Sequence, residues 1–363
     1  NEAFVMIDDQ KVVFEYAHNL VLASNEKEKN VLIVRGGPGT GKSVVAIQLT
    51  ARLTAAQKLV QYVSKNSAPR DVYASKLTGY RSKSWVNNLF KGSGSYINTP
   101  NGEFDALIVD EAHRLNEKSG MFSNLGENQI KEIINAAKCS IFFVDEDQRV
   151  TMKDIGSKGE VEMWARRAGA KVHYMELESQ FRCNGSDGYL AWLDNMLGIR
   201  TTANLDLNEL DYQFEVVDNP NELRERIIAY NAERNRARMV AGYCWPWNSK
   251  KDKKAMDIVI SEHNFGMQWN LTQDGILWII SPESVNQIGC IHTCQGLEVD
   301  YVGVIIGPDM VIRNGQWVCR PEYRASSDKS VHGMKALMKR DPKKGQEMAN
   351  RSEEHTSELQ SQR

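Results

Sequence analysis

Short apolar runs of strand length alternate with helical periodicity along the first half of the chain. Residues 29–34 carry a short apolar run at 31–34 that leads into Arg35 and then glycines. Residues 43–57 show helical spacing with no internal Gly or Pro, which predicts a helix. Further strand-like runs lie at 58–63, at 106–109 (ending in acids) and at 140–144, with a helical stretch at 129–137. Strands alternating with helices predict a parallel sheet covered on both faces. A transition begins at 170–177, and 184–218 is mixed and less periodic. A charged amphipathic helix is predicted at 221–236, followed by strands at 238–244, 258–260, 289–291 and 301–306. A seam near 177 therefore separates two α/β units, expected to span 1–176 and 177–350.

Composition narrows the class. The chain has 363 residues, with Lys plus Arg at 45, Asp plus Glu at 47, and a net charge of -2. At 41% hydrophobic and 25% charged, it can bury two ordinary cores. Collagen-like, disordered and disulfide-scaffold classes are excluded, as is a wholly basic DNA-coating protein. Any nucleic-acid contact must come from a local basic surface. No apolar run approaches the roughly 20 residues that span a bilayer, so no membrane association is expected. The six cysteines form no C-x-x-C pair, which fits small apolar fillers in a reduced, cytoplasmic compartment.

The ends are unusual. The chain starts at Asn1 without a targeting pattern, as a trimmed domain would. Residues 351–361 read RSEEHTSELQS, which resembles the translation of a sequencing adapter. Residues 351–363 are set aside as an artefact, and the natural sequence is expected to break off near 350.

The strongest motif is Gly36, Gly37, Pro38, Gly39, Thr40, Gly41, Lys42, Ser43, between a predicted strand and a predicted helix. It satisfies G-x-x-x-x-G-K-[ST] in the context that motif requires. Glycines let backbone N–H groups converge on phosphate oxygens, and the helix N-terminus adds partial positive charge. Lys42 would reach the β- and γ-phosphates, and the Ser43 hydroxyl would ligate Mg2+. The second motif is an apolar strand ending in Asp110 and Glu111. Asp110 would hold Mg2+, and Glu111 would orient and deprotonate an attacking water. ATP and Mg2+ are the expected cofactors.

Further signals follow in order. A strand at 141–144 leads into Asp145 and Gln148, with Gln148 placed to sense the γ-phosphate. Gln180, Phe181 and Arg182 sit on the seam. A segment from Cys290 to Asp300 contains His292, Gln295, Gly296 and Glu298. In this order the motifs resemble those of superfamily 1 helicases. They are most similar to the bacterial Schlafen-group-3-like DNA/RNA helicase domain, over about residues 6–340. The strings YVSKNSAPR (62–70), AGYCW (241–245) and Trp269-Asn270 add to the likeness.

The resemblance implies two tandem RecA-like P-loop NTPase domains, the second lacking its last motif with a second arginine finger. It implies that Gln10 reads adenine and that Arg182 reaches the γ-phosphate. It implies that Gln295 and Glu298 couple nucleotide to the bound strand. Ser64, Lys65, Asn66, the loop at 76–83 and His292 would meet single-stranded DNA or RNA. Cys290 stands where the family usually has threonine. Trp245, Trp247, Trp269 and Trp278 are read first as core and second as stacking platforms. The short inter-motif segments leave little room for an inserted domain, and a nuclease domain or partner would lie outside this sequence. The expected function is an ATP-dependent nucleic-acid motor, impaired in this chain by the missing motif. The alternative is a nucleotide-gated binding module with slow hydrolysis and no translocation.

Overall fold

The structure, a computed structural model, describes residue 6 and residues 8–120, 124–148, 154–178, 187–196, 213–270, 275–290, 293, 299–313, 316–326, 328, 337 and 339–342. The chain divides into two compact units, 1–181 and 182–363.

The first unit opens with α1 (Asp8–Ala23), β1 (Asn30–Gly36), α2 (Lys42–Ala55) and β2 (Val60–Ser64). It continues through α3 (Ser67–Leu77), α4 (Lys83–Leu89), β3 (Phe90–Lys91) and β4 (Phe104–Asp110). It closes with α5 (Gln129–Ala136), β5 (Ala137–Val144), α6 (Lys158–Arg167) and β6 (Lys171–Leu177). The strands form one sheet of order β3-β2-β4-β5-β1-β6, parallel throughout. Strand alternation explains the layering. Leu32, Val34, Ile108, Ile141 and Phe143 point into one apolar cluster with α1 and α2. Val31, Ile33, Val109, Phe142 and Val144 point into the other, with α5 and α6. Each such side chain, fully buried, contributes about 1.5–3 kcal/mol. The last strand, β6, pairs along its whole length with β1, so residues up to 177 complete the first sheet. The two-residue edge strand β3 carries no period long enough to read from sequence.

The second unit contains α7 (Asp187–Met196), α8 (Pro220–Arg234), β7 (Ala237–Ala241), β8 (Ile258–Ile260), β9 (Phe265–Trp269) and β10 (Gln287–Gly289). It also contains β11 (Tyr301–Ile305), β12 (Met310–Arg313) and β13 (Gln316–Cys319). Its main sheet has the order β11-β7-β10-β9-β8, with β8 alone antiparallel to its neighbour. A separate antiparallel pair joins β12 to β13. The Asn219 side chain caps α8, Pro220 follows it, and Asn235 ends the helix in the left-handed region. Arg238 is 1% exposed, and its guanidinium is held by the side chains of Asn231, Asn235 and Ser284 and by several backbone carbonyls. Trp269 and Trp278 are core residues, whereas Trp245 and Trp247 are half-buried.

Burial raises the Cys139 thiol to about 12, and burial with nearby Asp309 raises Cys244 further. Both are inert fillers rather than nucleophiles. Among the described residues, no helix is long and apolar enough to cross a membrane.

Candidate functional site

The C-terminal ends of the parallel strands gather the motif residues along one edge of the first sheet, where open α/β sheets take their ligands. β1 ends in the glycine loop and β4 in the acidic pair, with Asp145 just beyond β5. Gly39 and Gly41 adopt φ of 77° and 84°, values that side-chain-bearing residues avoid. A Cβ on Gly41 would come within 2.2 Å of the Gln10 amide. The Gln10 side chain is buried and donates to the Thr40 carbonyl at 3.1 Å, so it braces the loop from α1. Lys42 opens α2, and its ammonium donates to the carbonyls of Gly36 at 2.6 Å and Gly37 at 2.7 Å. It also pairs with Asp145 at 3.2 Å. Ser43, one residue on, hydrogen-bonds Asp110.

The acidic pair is held by buried neighbours. The Tyr62 hydroxyl donates to Asp110 Oδ2 at 2.5 Å from the adjacent strand. Burial, then the Asp110 charge, pushes that phenol far above its usual range, so it remains a donor. Asp110 is itself shifted upward by burial and by the charge of Glu111, against the hydrogen bonds from Ser43 and Tyr62. Glu111 behaves oppositely. Burial opposes its charge, but His113, Lys42 and Arg114 outweigh burial and hold its carboxyl at about 2. Glu111 also adopts φ 54°, ψ 41°, a left-handed conformation costing about 1–2 kcal/mol. Its N–H donates to Asp110 Oδ1 at 3.0 Å, which offsets part of that cost.

His113 is fully buried and joins two strand ends. The Asp145 N–H donates to its Nδ1 at 3.2 Å, so the ring proton sits on Nε2. That nitrogen lies 3.2 Å from Glu111 Oε2, off the line of a straight hydrogen bond. A second buried group lies behind. The Asp154 carboxylate, with no exposed side-chain surface, pairs with Lys65 and Arg114, each at 3.0 Å. Lys65 also donates to the Asn116 side chain at 2.7 Å. Ile155 N–H donates to the Leu115 carbonyl at 2.8 Å, and a Cβ on Gly156 would come within 1.8 Å of the Ala112 carbonyl oxygen. Residues 154–156 thus press directly on the backbone that follows Glu111.

The other expected site residues fall as follows. Gln148 is half-buried on a short 3-10 turn, its N–H on the Asp145 carbonyl. Ser64 is fully buried beside Asp110 in the sheet register and faces no solvent. Asn66 accepts from the Arg70 side chain at its backbone carbonyl. Arg182, His292, Gln295 and Glu298 lie outside the described residues.

Comparison with known proteins can now be set beside this geometry. Residues 29–353 match the model of the Schlafen group 3 DNA/RNA helicase domain. The chain belongs to that family. It is similar to an uncharacterized protein of Saccharomyces cerevisiae, 23% identical over 336 residues, covering 78% of this chain and 69% of the yeast one. Among solved structures it is similar to Pif1 helicases at forked double-stranded DNA, with a TM-score of 0.40, 12% identity, and 83% and 86% of the two chains covered. It is also similar to AMPPCP-bound DnaA from Aquifex aeolicus, with a TM-score of 0.28, 14% identity, and 69% and 67% covered.

Several residues of this helicase domain escape motif reading. His113 lies two residues after the acidic pair, but its place in the sequence does not show that it reaches Asp145. Tyr62, Asp154 and Gly156 carry none. Their importance comes from buried contacts across 48 positions for Tyr62–Asp110 and 89 for Lys65–Asp154.

Proposed function

We propose that this helicase domain binds ATP with Mg2+ at the strand ends of its first sheet and hydrolyses it to move along, or remodel, single-stranded DNA or RNA. The observation that carries the reading is the convergence of Lys42, Ser43, Asp110 and Glu111 on one sheet edge. The residues fit the group. The Gly37 Cβ position faces open space, so the loop can approach phosphates closely. Ser43 and Asp110 are already hydrogen-bonded to each other, and Mg2+ characteristically takes few protein ligands beside phosphate and water. Bound there, Mg2+ would neutralise charge on the phosphate oxygens.

The chain's own residues do the rest. Lys42 exchanges the Gly36 and Gly37 carbonyls for phosphate oxygens. Glu111, kept ionised, accepts a proton from the attacking water. His113, itself held by the Asp145 N–H just beyond β5, packs against Glu111 and limits its movement. Gln148 senses the γ-phosphate and Arg182 reaches it, while Gln295 and Glu298 couple the nucleotide to the bound strand.

The test is ATPase activity with and without single-stranded DNA and RNA. Lys42→Ala and Glu111→Gln are each expected to lower turnover by about 10²-fold or more. Hydrolysis indifferent to both nucleic acids would replace the motor with a nucleotide-timed binding module.

A further inference from the structure

The tip between α3 and α4 carries charge and aromatic surface that the nucleotide site does not use. From 72 to 102 the chain contains Lys76, Arg81, Lys83 and Lys91 and no Asp or Glu, within a protein of net charge -2. Gly79, at φ 102°, lets the chain reverse sharply, and Thr78 bridges to Arg81. The reversal is anchored from below. The N–H groups of Tyr80 and Arg81 both donate to the Leu77 carbonyl, and the Ser82 side chain caps α4. The ring raised on this support is Tyr80, 86% exposed, more than any other large apolar or aromatic side chain described. Lys76, Arg81 and Lys83 flank it along the chain, all exposed, with no carboxylate partner among the described residues. The Arg81 guanidinium lies 5.3 Å from the centre of the Trp85 ring.

An anchored, solvent-facing aromatic ring amid unpaired cations suits one ligand class. Cations hold a phosphate backbone, and a flat ring stacks on a base with little sequence preference. We propose that Tyr80 stacks on a base of single-stranded nucleic acid, with Lys76, Arg81 and Lys83 contacting its phosphates. This rests on the nucleic-acid reading above and names the surface within it. Tyr80 is too exposed to serve the core, so its removal should leave folding intact.

The test uses the full chain and fluorescence anisotropy of labelled oligo-dT and oligo-U, in low and moderate salt. Tyr80→Ala is expected to weaken binding about tenfold at every salt concentration, and Tyr80→Phe to retain it. The Lys76→Ala/Arg81→Ala/Lys83→Ala variant should flatten the slope of log affinity against log salt by about 2. Wild-type affinity in Tyr80→Ala, beside a nucleic-acid-stimulated wild-type ATPase, overturns the stacking role and leaves the motor standing. Absence of salt-dependent binding by the wild type overturns the nucleic-acid reading itself, and this inference with it. Stronger Tyr80-dependent binding to a poly-glutamate peptide than to either oligonucleotide assigns the tip to an acidic protein partner and also overturns the proposal.

Discussion

Two regions of the first unit treat their cations in opposite ways. At the strand ends, Lys42 is paired with Asp145, and Lys65 and Arg114 share Asp154. At the α3–α4 tip, Lys76, Arg81 and Lys83 are exposed and have no carboxylate partner among the described residues. Burial explains the difference. A charge taken from water costs several kcal/mol unless it is paired and hydrogen-bonded, so interior cations arrive with partners. A surface cation costs nothing to leave open and remains available to a ligand. On the proposed reading, the strand ends suit a small ligand that enters a prepared cradle, and the tip suits an extended polyanion.

The contrast can be broken at either end. The largest effect is expected on catalysis: Glu111→Gln should cut kcat by about 10²- to 10⁴-fold while nucleotide binding persists, as read by single-turnover hydrolysis and a fluorescent ATP analogue. Next is Asp154→Ala, which removes the carboxylate shared by Arg114 and the partly exposed Lys65. A loss of about 3–5 kcal/mol in urea unfolding is expected, toward the lower end because Lys65 is 28% exposed. A variant as stable as wild type would show that these interior cations do not need that carboxylate. Gly156→Ala drives a methyl group into the Ala112 carbonyl and should cost about 1–3 kcal/mol. Because the displaced segment follows Glu111, turnover should fall further than nucleotide affinity.

Smaller effects sharpen the boundary. Tyr62→Phe removes one donor from Asp110 but leaves Ser43, so about 1–2 kcal/mol is expected in the same unfolding measurement. Least of all, Lys76→Ala/Arg81→Ala/Lys83→Ala should change stability by under about 0.5 kcal/mol. A loss of 2 kcal/mol or more there would mean that the tip's cations are structural after all.

The local elements were largely legible in the chain. The helix read at 43–57 is α2, and the run at 140–144 lies within β5. Both depend on side-chain period and on Gly or Pro placement, which are local properties. The glycine loop and the acidic strand end were legible for the same reason, since their chemistry needs neighbours in sequence. The run at 170–177 is where reading stopped short. Its exposure along most of its length marks an edge strand, but only its pairing with β1 shows which sheet it joins. The Asp154 partner of Lys65 was equally illegible, because it lies 89 positions further along the chain.

The sequence by itself determined the strand–helix alternation, the phosphate loop, the acidic pair and the acid-free stretch between α3 and α4. Tertiary structure decided the strand order, the enclosure of Ser64 beside Asp110, the link from Glu111 through His113 to β5, and the exposure of Tyr80. The reason is range. Period, turn chemistry and local charge are set by residues a few positions apart, whereas burial and pairing depend on which distant segments share a sheet.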